Sequence, residues 1–512
     1  MNVVVIGAGH NGLAAAVVLA KSGARVRVIE ARTSLGGAVR TERPFAKAPN
    51  LGASTGAYLL GLMPPELKDE LGVDVRTIRR DPHYFLPTTD GRYLLFGSER
   101  SGTREQMVRF FSQKDYDAHA ALEDEIGKIR EDVAPTWLTE PLTIEETAER
   151  YVRRELRAVF VDLCRKPISH YLGRFGFASD LLMAMYATTD AFSGLYGSWD
   201  TPGTGMNFLV HNMCRLPGSG GTWMIVEGGM GSVVASLAAR CESLGVTIET
   251  GDPVAHVRVD GGTARGVVLA SGKTVEADAI VCNADPFAMR ELVGRAALPA
   301  EYNDRLDDYA KKPGSTLKVN LALSGLPKFS CLPNAFDRPF APTIHLLPDE
   351  REVIARLREG FAAAQRGELY DFPTIEWYVH TTLDPSLRDR EGRHNSALFV
   401  QWVPYEIRGS TWEAEEARYV EKLLAICDRF APGTSDLVVD VFALHPKKIE
   451  EHFGITRGHI HHVDNGWGFA DRLPYATPVA GLYSCSAGTH PAGSVIGAAG
   501  HNAAKRVLRD LA

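Results

Sequence analysis

Val3-Val4-Val5-Ile6 is an unbroken β-branched run, the pattern of a short strand covered on both faces. The glycine-rich stretch Gly7-Ala8-Gly9-His10-Asn11-Gly12 interrupts it. Residues 13–21 are rich in Ala, Leu and Val and read as a helix closed by Gly23. Residues 25–29 form a second strand, with Glu30 at its end. Strand, tight turn, helix and strand in this order predict a dinucleotide-binding βαβ opening.

Further along, residues 114–130 and 143–163 are charged helical stretches that lead into a softer apolar segment, 177–208. At Glu227-Gly228-Gly229-Met230-Gly231 a helix starts that runs to about residue 242, followed by a strand at 246–249. Alternating strands at 254–259, 266–270 and 275–282, separated by Asp260-Gly261-Gly262 and Ser271-Gly272-Lys273, predict a three-strand meander. Between 300 and 450, strands (317–323, 374–379, 397–403) mix with helices (348–365, 411–429). This order predicts an α/β protein: a bipartite Rossmann-like domain from 1–95, 226–300 and 455–512, with an inserted mixed α+β substrate domain from 96–225 and 301–454.

Gly7-x-Gly9-x-x-Gly12 carries the first chemistry. Gly7 permits the turn, Gly9 lets backbone approach a pyrophosphate, and Gly12 lets helix pack on strand. The helix N-terminus offers free N–H groups and a positive dipole end to phosphates. Glu30 would accept the ribose hydroxyls and repel a 2′-phosphate. His10 and Asn11 read as backbone phosphate donors. Just past Glu30, Arg32-Thr33-Ser34-Leu35-Gly36-Gly37 brings paired glycines that let amides reach phosphates and a ribityl chain, an element that a simple nicotinamide domain does not need. Near the other end, residues 481–500 run from a short strand through a Gly/Pro loop into an Ala/Gly helix expected to start near Ser494. Such a helix end, aimed at a flavin ring edge, would stabilise the negative charge of the reduced ring. Both ends of the chain thus point to one shared ligand.

Composition narrows the partners. The net charge of −7 argues against a nucleic-acid surface. Seven scattered cysteines without a CxxC pair suggest reduced thiols in a cytoplasmic protein and argue against disulfide-reductase chemistry. No apolar run reaches the roughly 18 residues of a spanning helix, and peripheral membrane contact stays open.

GAGHNGLAAA with its following E-x-x-x-x-LGG, W-x-x-VEGGMG in the middle and GLYSCSAGTHPAGSVIGAAGHNAA near the end resemble the phytoene-desaturase-like flavoproteins, of the type called pyridine nucleotide-disulphide oxidoreductase domain proteins. The stretches 201–205, 318–327 and 401–405 extend the resemblance over nearly the whole chain. It implies FAD, held by Gly7, Gly9, His10, Asn11, Gly12, Glu30, Ala31, Arg32, Gly36, Gly37, Gly488, Ser494 and Val495, with Val254 holding adenine through its backbone. The closing loop departs from its relatives at Pro491-Ala492-Gly493-Ser494 and at Ser486, which bears on the substrate and the electron acceptor and not on the FAD.

The expected function is FAD-dependent dehydrogenation or desaturation of a small apolar or amphipathic molecule by hydride transfer to flavin N5, with oxygen, a quinone or another carrier as electron acceptor. The alternatives are a flavin-dependent double-bond isomerase, an amine oxidase and a non-catalytic FAD scaffold. No catalytic acid or base is assigned. His459, His461 and His462 are read as solvated or core-edge and not metal-binding, Glu227 as approaching the flavin or sitting at a helix N-terminus, and His490 as structural. The segment 177–213 and the aromatics Trp377, Tyr378, Trp402 and Tyr405 are the expected walls of an apolar pocket.

Overall fold

The computed structural model describes residues 1–97, 100–332 and 340–511. Its centre is a five-stranded parallel sheet ordered Leu482–Ser484, Ala279–Cys282, Asn2–Ile6, Arg25–Glu30, Thr247–Thr250. The opening run is buried on both faces, as its composition requires. Val3 and Val5 pack towards the helices His10–Lys21, Gly231–Ser243 and Ala498–Asp510. Val4 and Ile6 face Val257, Val267 and Leu269 of an antiparallel meander. Three layers result. The first and last helices touch closely, for a Cβ on Gly500 would lie 2.0 Å from the Asn11 carbonyl.

The second sheet has seven strands, ordered Val438–Leu444, Thr316–Leu323, His394–Gln401, Thr374–Tyr378, Thr343–Leu346, Tyr84–Pro87, Tyr93–Phe96. Strand alternation sorts its two faces. Leu317, Val319, Leu321, Leu398, Val400, Ile375 and Trp377 form one apolar core with Leu423, Leu424 and Phe430 of the helix Trp412–Phe430. Each such side chain contributes about 1.5–3 kcal/mol on burial. The opposite face carries a row across four strands in direct register: Lys318, Phe399, Glu376 and His345.

Four elements differ from the sequence expectation. The stretch 143–163 is two helices, Ile144–Tyr151 and Arg157–Arg165. Asp132 fixes the break by accepting both the Arg153 amide (2.9 Å) and its guanidinium (2.8 Å). The third meander strand stops at Glu276, and Ala279–Cys282 crosses into the parallel sheet beside the first strand. Asp278 pins that crossing, its amide donating to Asn2 O and its carboxylate accepting from the Asn2 amide at 2.7 Å. The closing helix begins at Ala498 and not near 494, because Ser494, Val495 and Gly497 have φ of 88°, 57° and 81°, outside helical space. The helix expected from 348 begins at Val353.

Candidate active site

A cavity of about 560 Å³ runs from the glycine-rich loop to the polar face of the seven-stranded sheet. At its outer end the first strand delivers Gly7, Gly9, His10 and Asn11 to the wall, and the second strand delivers Glu30, Ala31 and Arg32. Gly36 and Gly37 lie opposite the loop, where Gly36 N donates to Ala8 O at 2.9 Å and Gly36 bridges Gly9. Val254, Ser494 and Val495 also line the wall. Gly12 and Gly488 do not. A Cβ on Gly12 would meet Gly7 O at 2.2 Å, so that glycine serves the turn and the helix packing. Gly488 lies against Pro286, and its amide donates to Ser486 Oγ at 3.1 Å.

These residues fit a dinucleotide. Gly9, the N-cap of the first helix, offers no side-chain cap, so the amides of that turn are left for a ligand. Glu30 is buried, and its two oxygens accept from Ala8 N (2.8 Å) and Arg32 N (2.9 Å). It therefore shapes the loop and still has lone pairs for hydroxyl donors. Asn11 Oδ1 and His462 Nδ1 are buried polar atoms without a hydrogen-bond partner among the described residues. Burial, with the His462 charge second, pushes the His10 imidazole down to about 4.

The inner end is mixed: Ala57, Leu59, Trp223, Phe399 and Ile460 supply apolar wall beside several polar groups, and most of the aromatics expected there lie elsewhere. From 177–213 it receives Thr189, Asp190, Ser193 and His211, while Phe192, Phe208 and Met185 turn into the core. Of the four aromatics, only Tyr378 lines the cavity. Trp377 faces the helix-packed core and bonds Ser396 Oγ at 2.8 Å. Trp402 packs on Phe192 and Phe361 at 5.3 and 5.6 Å. Tyr405 reaches out to Glu450. His461 and His462 are on the wall, and His459 bonds Asp464 at 3.4 Å. Among the described residues no His, Cys, Asp and Glu side chains converge to hold a metal. His490 bonds Thr136 O at 3.0 Å, and Glu227 pairs with Arg76 at 2.9 Å, away from the wall.

Five wall residues carry chemistry that sequence reasoning missed: Tyr58, Arg80, Asp190, Lys318 and Glu376. Lys318 donates to Gly56 O and lies 4.0 Å from the Tyr58 ring centroid. Burial pushes its ammonium down to about 7 against the opposing pull of Glu376. Glu376 accepts from the Tyr378 hydroxyl, while its Oε1 is buried without a partner among the described residues. Burial raises this carboxyl to about 7, with Tyr378, Lys318 and Arg80 holding it from rising further. Asp190 is pushed to about 8 by burial and by the charges of Glu123 and Glu376. The one available signal was polar Thr316, Lys318 and Asn320 alternating with leucine and valine in a strand otherwise suited to a core.

Arg472 organises the closing loop from behind. Fully buried, it donates to the carbonyls of Thr489 (3.0 Å), Ala487 (2.6 Å), Trp467 (3.0 Å), Val463 (3.2 Å) and Asp464 (3.3 Å), and to Asn465 Oδ1 (3.2 Å).

A family model described as flavin containing amine oxidoreductase matches residues 12–374. Pyridine nucleotide-disulfide oxidoreductase domain-containing protein 2 of Rattus norvegicus is 32% identical, covering 99% of this chain and 93% of its own length. Hydroxyneurosporene desaturase of Cereibacter sphaeroides is 29% identical over 56% of this chain and 57% of its own length. In fold alone, the chain is similar to an oxidoreductase from Methanosarcina mazei (TM-score 0.64, 19% identity, covering 99% and 100%) and to putrescine oxidase (TM-score 0.56, 16% identity, covering 100% and 99%). The chain belongs to the flavin-containing amine oxidoreductase family and is an FAD-dependent oxidoreductase.

Proposed function

We propose that the chain dehydrogenates an amphipathic organic molecule bound between the flavin ring and the polar face of the seven-stranded sheet. The observation that carries this reading is the single cavity joining the glycine-rich loop to the Lys318–Glu376 row. In it, amides of the Gly7–Gly12 turn and of Gly36 and Gly37 would hold the pyrophosphate, Glu30 the ribose, Val254 the adenine, and the Ser494–Val495 loop the ring. Bound FAD supplies the two-electron acceptor. Lys318 and Glu376, both titrating near 7, are placed to take the proton that leaves the substrate. The nucleotide unit would comprise the segment ahead of Tyr84 with 226–300 and 455–512. The strands Tyr84–Pro87 and Tyr93–Phe96 go with the substrate unit, because they extend its sheet.

The desaturase and the putrescine oxidase suggest two substrate classes, carbon skeletons and amines. The wall charges favour the first. A cationic amine would meet Arg80 and Lys318, and the carboxyls beside them are raised towards their neutral forms. Thiol chemistry has no support, for Cys485 is fully buried and its thiol is held well above its ordinary range.

Anaerobic titration of the FAD-loaded protein with prenoid, fatty-acyl and amine compounds tests the reading. A dehydrogenase bleaches its flavin with a substrate that is not an amine, and admitting oxygen or a quinone then shows which restores the colour. Bleaching by amines alone would establish the amine-oxidase reading. Turnover requiring prereduced flavin would establish the isomerase. Glu30→Ala should weaken FAD by about 1.5–3 kcal/mol, read by equilibrium dialysis. An unchanged affinity removes Glu30 from the ribose site.

A further inference from the structure

Arg80 is buried on the cavity wall, yet among the described residues its hydrogen bonds go only to neutral groups: Nε donates to Trp223 O at 2.8 Å and Nη1 to Thr343 Oγ1. A guanidinium has five N–H donors and stays charged in proteins. Among the described residues Lys318 likewise hydrogen-bonds only a carbonyl, Glu376 only the Tyr378 hydroxyl, and half-buried Asp190 only the Asn212 amide at 3.4 Å. Among the described residues, none of these four groups forms an ion pair, although all face one cavity. Interior charges are ordinarily paired, because an unpaired buried charge is strongly unfavourable. A fixed cation with spare donors, on a wall whose acids can be neutral, is complementary to a ligand that brings one negative charge.

Resting on the reading of this cavity as the substrate site, we propose that the substrate is a monocarboxylic amphiphile whose carboxylate is taken by Arg80 while its apolar part lies across Tyr58 and Phe399. The guanidinium fork matches the two oxygens of a carboxylate. The ring of Phe399 sits in register between Lys318 and Glu376, and Tyr58 packs on Tyr378 at 5.3 Å, so apolar surface adjoins the cation. A phosphomonoester dianion is disfavoured, because its second charge would face Asp190 and Glu376. The acids also set the pH response. Raising the pH ionises Glu376, near 7, and Asp190, near 8. Glu123, Arg80, Lys318, the neutral His211 and His380, the Cys214 thiol and the hydroxyls of Tyr58, Tyr84, Tyr186 and Tyr378 are the titratable groups that face them. Carboxylate affinity therefore falls from pH 6 to pH 9.

The test is calorimetric titration of the FAD-loaded chain with decanoate, decan-1-ol, decylamine and decyl phosphate at pH 6.5, alongside Arg80→Met and Arg80→Lys. Decanoate is expected to bind at least tenfold tighter than the other three. Arg80→Met should abolish that preference while leaving decan-1-ol affinity within twofold. If Arg80→Met does not fold, Arg80→Lys should still reduce the preference at least threefold through loss of the fork. Equal binding of all four probes by the unaltered chain, or a preference that survives these substitutions, overturns the proposal, as does tighter binding of decyl phosphate. Flavin content and bleaching are read separately. A protein that discriminates decanoate through Arg80 yet never bleaches supports this inference and sinks the dehydrogenase reading, and bleaching without discrimination does the reverse.

Discussion

Arg472→Met is expected to destabilise the folded chain by about 3–5 kcal/mol, the range for breaking a buried charge network. The substitution strands oxygens of Val463, Asp464, Asn465, Trp467, Ala487 and Thr489, which converge on this one guanidinium from two segments. Methionine fills much of the volume but donates to none of them, and buried acceptors left unpaired are unfavourable. Burial already lowers the Arg472 guanidinium to about 10, so the bonds hold it against a desolvation penalty. Arg472→Lys should recover only part of the loss, because a point charge cannot serve six acceptors spread around a planar fork. Urea unfolding of apo-protein measures both variants. A loss below about 1 kcal/mol would mean that water replaces the guanidinium. FAD affinity should fall with stability, since Ala487 and Thr489 lead into the Ser494–Val495 turn on the cavity wall.

Lys318→Met should have the opposite sign. Here a buried cation has, among the described residues, one carbonyl partner and two aromatic faces, with ring centroids at 4.0 and 4.8 Å. Its fall from 10.5 to about 7 corresponds to about 5 kcal/mol of strain on the folded state. The sign follows from the protons. Above 10.5 the lysine is neutral folded and unfolded, and the substitution carries no charge effect. As the pH falls, the unfolded lysine takes up a proton that the folded one refuses until about 7. The advantage of methionine therefore grows between these values and is constant below 7. Unfolding midpoints compared at pH 6 and pH 9.5 check this, and a gain that does not increase towards pH 6 contradicts it. Glu376 gives a second readout, because loss of the Lys318 charge lets its carboxyl rise further. Flavin bleaching by substrate should slow by about 10²–10⁴, the usual weight of a positioned acid–base group. Higher stability with lower activity is the pattern of a site strained for its function.

The two ends of the site differed in how far they could be read from sequence. Gly7, Gly9, Gly12 and Glu30 act within one βαβ unit, so their spacing along the chain carries their geometry. The Lys318–Phe399–Glu376 row is assembled from three strands that are distant in sequence, and no local spacing records it. Trp377 and Tyr378 show a second limit. Adjacent strand residues point to opposite faces, so only one of the two could meet the cavity, and period-two alternation does not say which face holds it. The stretch 275–282 looked like one strand because both halves are apolar. The Asp278 clamp to Asn2 that divides them depends on residues far apart in the chain. Ser494 and Val495 were placed in a helix because positive φ is foreign to both residue types.

The pairing of the first helix with the last has a consequence for synthesis. The strand Leu482–Ser484 and the helix Ala498–Asp510 leave the ribosome after every other element of the parallel sheet, yet they cover the Ala279–Cys282 edge and the face of the helix that begins at His10. At about 5–20 residues per second, the opening βαβ unit waits on the order of half a minute to a minute and a half for them. Throughout that interval Leu13 and Val17 lack their final cover, Ile280 lacks it from its own synthesis onward, and the Ser494–Val495 turn does not yet exist. Flavin capture therefore waits for synthesis of the Ser494–Val495 turn, and the nascent chain is most exposed to aggregation and to chaperones just before residues 482–510 emerge.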